Sequence, residues 1–415
     1  MAPALPRAQL SEGRLLFLIG AVQFVNVLDF MMVMPLGPDF SRELGIETAR
    51  LGVVGGSYTA AAAISGMVGA LFLDKFDRRK ALACALFGLV LGTALGGFAW
   101  NLGSLIMARV IAGAFGGPAT ALSLAIVADV IPMARRGRAM GAVMGAFSVA
   151  SVFGVPLGLE LSRIGGWQLP FFAVAGLGAV VTTLAVAMMP PLTAHLHMKH
   201  TSVTTTWQLL QKPLVLLSLS ATFVAMAGNF ALIPNLSAYF QFNRGYPRDG
   251  LGLLYLVGGA VSFLTLRLAG KLADKVGPAR TAAFGSGLFV TILVLGFIRP
   301  APWLPIMALF VSFMVTGSFR FVPMQALSSR VPEPHERARF MSVQSSVQHL
   351  ASALGAVLAA QMLVTRPNGA LDGLDHVATI TAALAVLLPL IMLAVEKRVR
   401  NKEQRVLVPA SIPPV

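Results

Sequence analysis

The feature that most constrains this chain is a series of long apolar segments at regular spacing. Each has about 20 residues or more, the length that an α-helix needs to cross the hydrocarbon core of a bilayer. We predict twelve such segments, at residues 15–37, 51–73, 81–100, 103–128, 139–161, 169–190, 213–240, 251–270, 281–299, 303–327, 340–364 and 377–395. Charged residues make up only 12% of the chain, as in integral membrane proteins. No segment alternates like a barrel strand, so the predicted fold is an all-α membrane fold with twelve transmembrane helices.

The basic residues predict the orientation of these helices. A net charge of +15 would suggest a nucleic-acid partner in a soluble protein. Here most of the 32 Lys and Arg residues lie near the termini and in the loops that follow even-numbered segments. By the positive-inside rule, both termini are then cytoplasmic, and we expect no nucleic-acid partner. The single cysteine, Cys84, lies in an apolar segment, so neither an internal disulfide nor a metal cluster is predicted.

The chain contains an internal repeat. The stretch Ala70–Lys80 (ALFLDKFDRRK) is similar to Gly270–Arg280 (GKLADKVGPAR), and Asp74 and Asp274 are 200 residues apart. Repeats of this kind indicate two related halves with a substrate site between them near the middle of the membrane.

The longest polar break places the boundary between the halves. We predict an N-terminal six-helix half at 1–190, a cytoplasmic linker at 191–212, and a C-terminal half with a short basic tail at 213–415. The linker contains three histidines, but no carboxylate or cysteine lies near them, so we interpret them as solvated and not as a metal site. They are His195, His197 and His200.

The repeated loop has a recognisable form. A family signature, Gly-x-Leu-Ala-Asp-Arg/Lys-x-Gly-Arg/Lys-Arg/Lys, stands between helices 2 and 3 of the major facilitator superfamily. The first copy here matches it at Asp74, Lys75, Arg78 and Arg79, and departs from it at Ala70 and Asp77. The second copy matches at Gly270, Leu272, Ala273, Asp274, Lys275 and Gly277. With two copies in a twelve-helix chain, the sequence resembles that superfamily, and within it the bacterial drug:proton antiporter and sugar-efflux branch.

Two further motifs carry the resemblance. Arg109 and Gly113 resemble the helix-4 element Arg-x-x-Gln-Gly, with Ala112 in place of glutamine. GVPLG resembles the antiporter kink motif of helix 5, with Gly154, Pro156 and Gly158 as the kink residues. The resemblance implies a monomeric transporter of the bacterial inner membrane that works by alternating access. Its partners would be a small-molecule substrate, protons and membrane lipids, and it would need no cofactor.

Asp29 is the acid that lies deepest in an apolar segment. An unpaired charge there would cost on the order of 3 kcal/mol or more, which predicts a function and a partner. Arg109 is at a similar depth, and the resemblance implies that both residues face one cavity. We interpret Asp29 as a proton-coupling site; the alternative is a static ion pair that fixes helix packing. Glu160, near the outer end of helix 5, is either a second titrating site or a residue that reaches outer water.

Candidate substrate residues occur in both halves. Asn26 shares a helix face with Asp29 and either contacts substrate or makes a packing hydrogen bond. Predicted helix 1 also contributes Phe30, Met31 and Met34, whose apolar side chains suit varied hydrophobic substrates, although lipid-facing packing explains them equally well. The C-terminal candidates are Asn229, Arg320, Gln344 and His349.

Arg320 and His349 have similar predicted depths in the C-terminal half. A membrane-buried arginine without an acid nearby indicates an anionic ligand or lipid headgroup, and the alternative is pairing with backbone carbonyls. His349 either shares the proton coupling or is a neutral packing residue.

Charges in the inner loops are predicted to gate the conformational change. We expect Asp129 to pair with Arg78 or Arg79 and to lock the outward-facing state, and Asp74 to stabilise the N-terminus of a neighbouring helix. The complete predicted gating set is Asp74, Lys75, Arg78, Arg79, Asp129, Asp274, Lys275 and Arg280.

The sequence therefore predicts a transporter and not an enzyme. No Gly-x-x-x-x-Gly-Lys phosphate loop is present, so transport would use an ion gradient. The favoured function is proton-coupled, multidrug-type efflux of small hydrophobic or amphipathic molecules. One alternative is a transporter for a specific anionic metabolite or lipid that binds Arg320, and another is a non-transporting membrane receptor.

Overall fold

The computed structural model describes residues 11–193, 196, 206–333 and 336–407. The three linker histidines considered above lie outside these ranges, and so does the side chain of Asp74, although its backbone is described. Helical segments occupy all twelve predicted positions. Ten helices of the described part are long and apolar enough to cross a membrane.

The N-terminal half contains six helical segments. They are α1 (Glu12–Val33), α2 (Leu51–Phe72), α3 (Arg78–Gly97), α4 (Leu102–Val130), α5 (133–165) and α6 (Gln168–Met188). α5 is interrupted, since a π-helical turn at Ala150–Gly154 precedes Val155–Gly165. The turn lies where the predicted kink motif begins, and Pro156 restarts the regular helix because its missing N–H is tolerated in a first turn. A short helix, Gly37–Leu44, follows α1.

The C-terminal half repeats this arrangement. It contains α7 (Pro213–Leu232), α8 (Leu251–Val276), α9 (Pro278–Leu293), α10 (Ile306–Ser328), α11 (Arg337–Met362) and α12 (Leu374–Leu407). Two features of this half were not predicted from the sequence. A two-stranded antiparallel hairpin, β1 (Val364–Thr365) and β2 (Leu371–Asp372), joins α11 to α12. Part of the predicted solvated linker is the helix Thr206–Leu210, whose Leu209 is buried.

Local capping fixes several helix ends. Ser11 caps α1, and Asn101 forms a capping box with Ser104 at the start of α4, so orphan N–H groups of both helices find acceptors. Asp77, the residue that departs from the loop signature, caps α3 by accepting from the backbone N–H of Arg79. The carboxylate thus has a structural role that glycine lacks.

The two halves meet along two helix pairs, α2 with α11 and α5 with α8. Glycines permit the closest approach. A Cβ at Gly52 would lie 2.6 Å from the carbonyl oxygen of Ala356, whereas at Gly66, three to four turns further along α2, the nearest atom is 3.8 Å away. Gly52 is at the end of α2 predicted to be outer. The two halves therefore approach each other more closely near Gly52, towards the predicted outer face, than near Gly66.

Candidate substrate and proton site

The centre of the N-terminal half is a buried ion pair between Asp29 of α1 and Arg109 of α4. Arg109 Nη1 and Nη2 donate to the two carboxylate oxygens of Asp29 at 2.9 Å each. The hydroxyl of Thr93 on α3 donates to the same carboxylate at 2.7 Å. The side chains are 0% and 1% exposed, so the pair predicted from the sequence is formed and is closed off from solvent. This geometry is the bidentate form in which arginine binds a carboxylate most strongly.

Small residues of α4 allow this approach. A Cβ at Gly113 would lie 2.2 Å from the backbone oxygen of Tyr58, and one at Gly116 would lie 2.3 Å from the Tyr58 hydroxyl. Ala112 faces α3. A Cβ on Gly92 of α3 would be 2.4 Å from the backbone nitrogen of Ala112. The departure from the family's glutamine at this position therefore has a packing reason, because a longer side chain would meet α3.

Asn26 belongs to a polar network beside the pair. Its amide nitrogen donates to Thr120 at 2.6 Å and to the carbonyl of Gly116 at 3.0 Å, and its oxygen accepts from the Tyr58 hydroxyl at 2.7 Å. The packing alternative for Asn26 is thus formed in this conformation. Tyr58 was missed in the sequence analysis, although a lone phenol within a segment of Gly, Ala and Val is a visible signal for a hydrogen-bonding site.

Aromatic side chains connect this network to the other half. The guanidinium of Arg109 lies 4.7 Å from the centre of the Tyr58 ring. Tyr58 in turn contacts Phe30 with ring centres 5.2 Å apart, and Phe30 contacts Phe230 of α7 at 5.8 Å. A continuous series of contacts therefore runs from the ion pair to the interface between the halves.

The C-terminal half buries a second arginine, Arg320 of α10, at 1% exposure. Its Nη1 donates to Asn229 Oδ1 of α7 at 2.9 Å, and its guanidinium lies 4.2 Å from the centre of the Phe289 ring. Nε and Nη2 have no hydrogen-bond partner among the described residues. The carbonyl pairing considered as an alternative is therefore not observed for these two donors.

Gln344 and His349 of α11 occupy different environments. Gln344 donates to Gln325 at 2.8 Å and to Thr222 at 3.3 Å, so it joins α11 to α10 and α7. His349 is half-buried, and no hydrogen bond or ion pair in the described part joins it to Arg320. The structure thus groups Gln344, but not His349, with the polar side chains of α7 and α10.

Two predictions for the N-terminal half need correction. Glu160 is about half exposed and pairs with Arg163 one turn away, so it is a surface residue at the end of α5 and not a cavity acid. Met34 is buried against Gly55 at the junction near Pro234, where the halves are closed, while Met31 is half-buried. The direction in which each of these side chains points depends on helix packing, which the sequence did not predict.

The predicted inner-loop charges are only partly paired. Arg78 Nε lies 3.2 Å from Asp129, as expected from the sequence. This pair lies within one half and is present while the predicted outer end is closed, so its presence is not specific to an outward-facing state. Four further predicted gate residues are exposed: Lys75, Asp274, Lys275 and Arg280. A further contact occurs at the second copy of the repeated loop, between α8 and α9. There Glu396 of α12 accepts a hydrogen bond from the backbone N–H of Ala279 at the start of α9. Glu396 was not predicted as a gate residue.

A polar connection between the halves lies instead at the predicted outer face. Arg248 donates to both carboxylate oxygens of Asp39 and to the hydroxyl of Ser162. We call these three residues the outer latch. Nearby, Arg42 contacts Gln241, and Thr48 contacts Thr365. The sequence offered no signal for the latch, since Asp39 and Arg248 are 209 residues apart and each reads as an ordinary loop charge.

This architecture agrees with a comparison against known families. The profile described as "Major Facilitator Superfamily" matches residues 19–356 and 218–409, nearly the whole chain. The chain belongs to the major facilitator superfamily. It is thus a multi-pass membrane transport protein with two six-helix halves, as the resemblance implied.

Individual members of the superfamily show the same relationship. The chain is 26% identical over 366 residues to an uncharacterized MFS-type transporter, YwfA of Bacillus subtilis, covering 86% of each chain. It is 28% identical over 274 residues to the purine ribonucleoside efflux pump NepI of Escherichia coli K12, covering 65% of this chain and 66% of that one. Among solved structures, a D-xylose-proton symporter superposes with a TM-score of 0.71 at 15% identity, covering 91% of this chain and 96% of the other, and shares the fold.

Proposed function

We propose that this protein is a proton-coupled exporter of small hydrophobic or amphipathic molecules that works by alternating access between its two halves. The observation that carries the proposal is the buried, bidentate contact of Arg109 with Asp29, which is linked through Tyr58 and Phe30 to the interface. A surface pair would exchange its partners with water, whereas a buried pair can change only when a proton or a helix moves.

Protonation of Asp29 is the step that would couple the two processes. A neutral carboxyl group no longer balances the charge of Arg109, so the guanidinium must seek another partner or another position. Arg109 lies against Tyr58, and Tyr58 contacts Phe30, which meets Phe230 across the halves. A movement of the guanidinium would therefore be transmitted through these rings to the interface between the two halves.

The same region has the chemistry of an amphipathic binding site. Phe30, Phe230 and Tyr58 offer aromatic faces, while Asn26 and Asn229 offer amide groups. Planar ligands with polar edges stack on such rings and hydrogen-bond to such amides. Because one relative is a purine ribonucleoside efflux pump, purine ribonucleosides belong in the first substrate panel.

The direction and location of transport complete the proposal. We place the protein in a bacterial inner membrane with both termini in the cytoplasm, on the distribution of Lys and Arg between the loops. The outer latch then closes the external side, so the described conformation would load its substrate from the cytoplasm. Export follows when the latch opens and the inner ends approach.

The test is proton movement in liposomes. The purified protein would be reconstituted with an imposed pH gradient and a pH-sensitive dye inside, and challenged with a purine ribonucleoside, a hydrophobic dye, a sugar and a lysolipid. We expect substrate-dependent proton movement in the wild type and in Glu160→Gln, the matched exposed-acid control, and none in Asp29→Asn. Proton movement that persists in Asp29→Asn would refute the coupling site. If no substrate responds to the pH gradient, antiport itself is wrong.

A further inference from the structure

The internal repeat relates the residues that accept hydrogen bonds from the two buried arginines. The 200-residue spacing that relates Asp74 to Asp274 also relates Asp29-Phe30 of α1 to Asn229-Phe230 of α7. The two phenylalanine rings meet across the interface at 5.8 Å. On each side of this contact, the residue before the phenylalanine accepts from an arginine on the fourth helix of its own half. The acceptors therefore occupy equivalent positions in the repeat, whereas Arg109 and Arg320 are 211 residues apart and reach them from different turns of their helices.

The charges of the two sites differ. In the N-terminal half a carboxylate neutralises Arg109, but in the C-terminal half the corresponding residue is the neutral Asn229. An amide oxygen satisfies one donor of Arg320 and none of its charge. No ion pair to Arg320 is found in the described part of the chain, and its Nε and Nη2 lack acceptors. A buried arginine without a counter-charge is unfavourable unless an anion supplies the missing partner.

The two unpartnered donors have a defined geometry. Asn229 occupies Nη1, which leaves the edge formed by Nε and Nη2. The two N–H groups on that edge of a guanidinium point in the same direction and bind two oxygens of one carboxylate or phosphate group. Lysine could supply the charge at this position but not the paired donors.

Polar side chains form a series that leads to this edge from the predicted inner end. Ser218 of α7 contacts Ser328 of α10 at 3.0 Å, and Thr222 contacts Gln344, which in turn contacts Gln325. On α7, Ser218, Thr222 and Asn229 lie within about 40° of one another around the helix. The series rises roughly 16 Å from Ser218 to Asn229 at 1.5 Å per residue. These uncharged groups are mostly buried and hydrogen-bond to one another in this conformation.

We infer that the Nε and Nη2 edge of Arg320 is a binding site for an oxyanion, a carboxylate or phosphate group on a ligand that enters between the halves. The inference deepens the proposed function, since it assigns an anionic group to ligands of the same cavity. In this arrangement Asp29 takes up and releases the proton, and Arg320 binds the negative charge of the ligand. Both donors of the edge are buried while the outer latch is closed, so the ligand reaches them as α7 and α10 move.

Binding by purified protein tests this inference without a proton gradient. The probes are inorganic phosphate, benzoate and inosine 5′-monophosphate, with benzamide and inosine as uncharged counterparts, added to protein in a non-ionic detergent. We expect at least one anion to raise Tm saturably, its uncharged counterpart to bind at least tenfold more weakly, and the effect to be lost in Arg320→Gln. Arg320→Lys should bind roughly tenfold more weakly than wild type, and Arg299→Gln, an exposed arginine of the same half, should bind as wild type does.

Asn229→Asp is the decisive variant. It gives the C-terminal site the carboxylate of the N-terminal one, so it should abolish anion binding while raising the Tm of the ligand-free protein. Because that variant gains stability, a loss of binding cannot be ascribed to unfolding. If the Asn229→Asp variant still binds the anion with wild-type affinity, the inference is wrong.

The source of the oxyanion is resolved in nanodiscs. If the group belongs to a lipid, phosphatidylglycerol will raise Tm relative to phosphatidylcholine in the wild type but not in Arg320→Gln, and will compete with the soluble anions. If it belongs to a solute, the lipid will have no effect that depends on Arg320. Absence of any Arg320-dependent stabilisation by soluble anions and by the anionic lipid would refute the site. Anion binding without proton coupling would instead refute only the proposed function.

Discussion

In the N-terminal half Arg109 is held by a carboxylate on two donors, whereas in the C-terminal half Arg320 is held by an amide on one. The acceptors Asp29 and Asn229 are equivalent in the internal repeat, and each precedes a phenylalanine. The difference teaches that one side-chain substitution, carboxylate to amide, converts a neutral site into a positive one without a change of fold. We propose that the first kind of site takes up a proton and that the second binds a negatively charged group.

The largest effect should follow from breaking the N-terminal pair. Asp29→Asn leaves the charge of Arg109 buried without a partner, which we expect to cost about 3–5 kcal/mol and to abolish proton coupling. Thermal unfolding and the liposome assay would measure the two effects. The double variant Asp29→Asn/Arg109→Gln should recover most of the stability but no coupling. Coupled transport in the double variant would show that the pair only fixes helix packing.

Removing each arginine in turn sharpens the comparison. Arg109→Gln should lower the free energy of unfolding by about 3 kcal/mol or more, and Tm with it, because it isolates the carboxylate of Asp29. Arg320→Gln, measured without anions, should leave Tm unchanged or raise it, since it removes a buried charge at the loss of one hydrogen bond worth about 1 kcal/mol. Equal decreases for both variants would mean that Arg320 has a counter-charge in the protein itself.

The outer latch should have an intermediate effect. Arg248→Gln leaves the mostly buried Asp39 without its cation, and we expect a cost of about 1–3 kcal/mol that favours opening of this end. Hydrogen exchange at residues 37–50 and 241–250 should then be roughly tenfold faster or more, since about 1.4 kcal/mol corresponds to a factor of ten. The matched control is Arg163→Gln, which breaks an exposed pair within one half and should change exchange at these residues little. Unchanged exchange in Arg248→Gln would show that the latch does not hold the halves together.

The smallest effect should come from Tyr58→Phe. The variant loses the hydrogen bond to Asn26, worth about 1 kcal/mol, but keeps the ring beneath Arg109 and beside Phe30. Tyr239→Phe is a matched control in the other half, because it also loses one buried hydroxyl contact, to the carbonyl of Gly296. Similar small losses of Tm are expected for both variants, with altered substrate response only for Tyr58→Phe. Equal transport defects would indicate a general packing effect.

Much of the site was visible before the structure, but its geometry was not. The similar depths of Asp29 and Arg109, together with the family resemblance, predicted their contact, because a buried acid requires a partner. For Glu160, near the outer end of helix 5, the sequence left two alternatives open, and the structure places it at the surface beside Arg163. The outer latch depends on contacts between distant segments, for which a single sequence contains no direct signal.

The sequence by itself determined the class of protein, the number of helical segments and the two-fold repeat. Segment length and the absence of charge are sufficient for these, because a segment that crosses a bilayer as an α-helix must be long and apolar. Only the tertiary structure decided which side of each helix faces its neighbours, why Ala112 and Asp77 replace the family residues, and at which end the halves meet. The physical reason is that lipid and protein neighbours are both apolar in a membrane, so a transmembrane helix can bury either face, and only packing at residues such as Gly52 and Gly116 selects one.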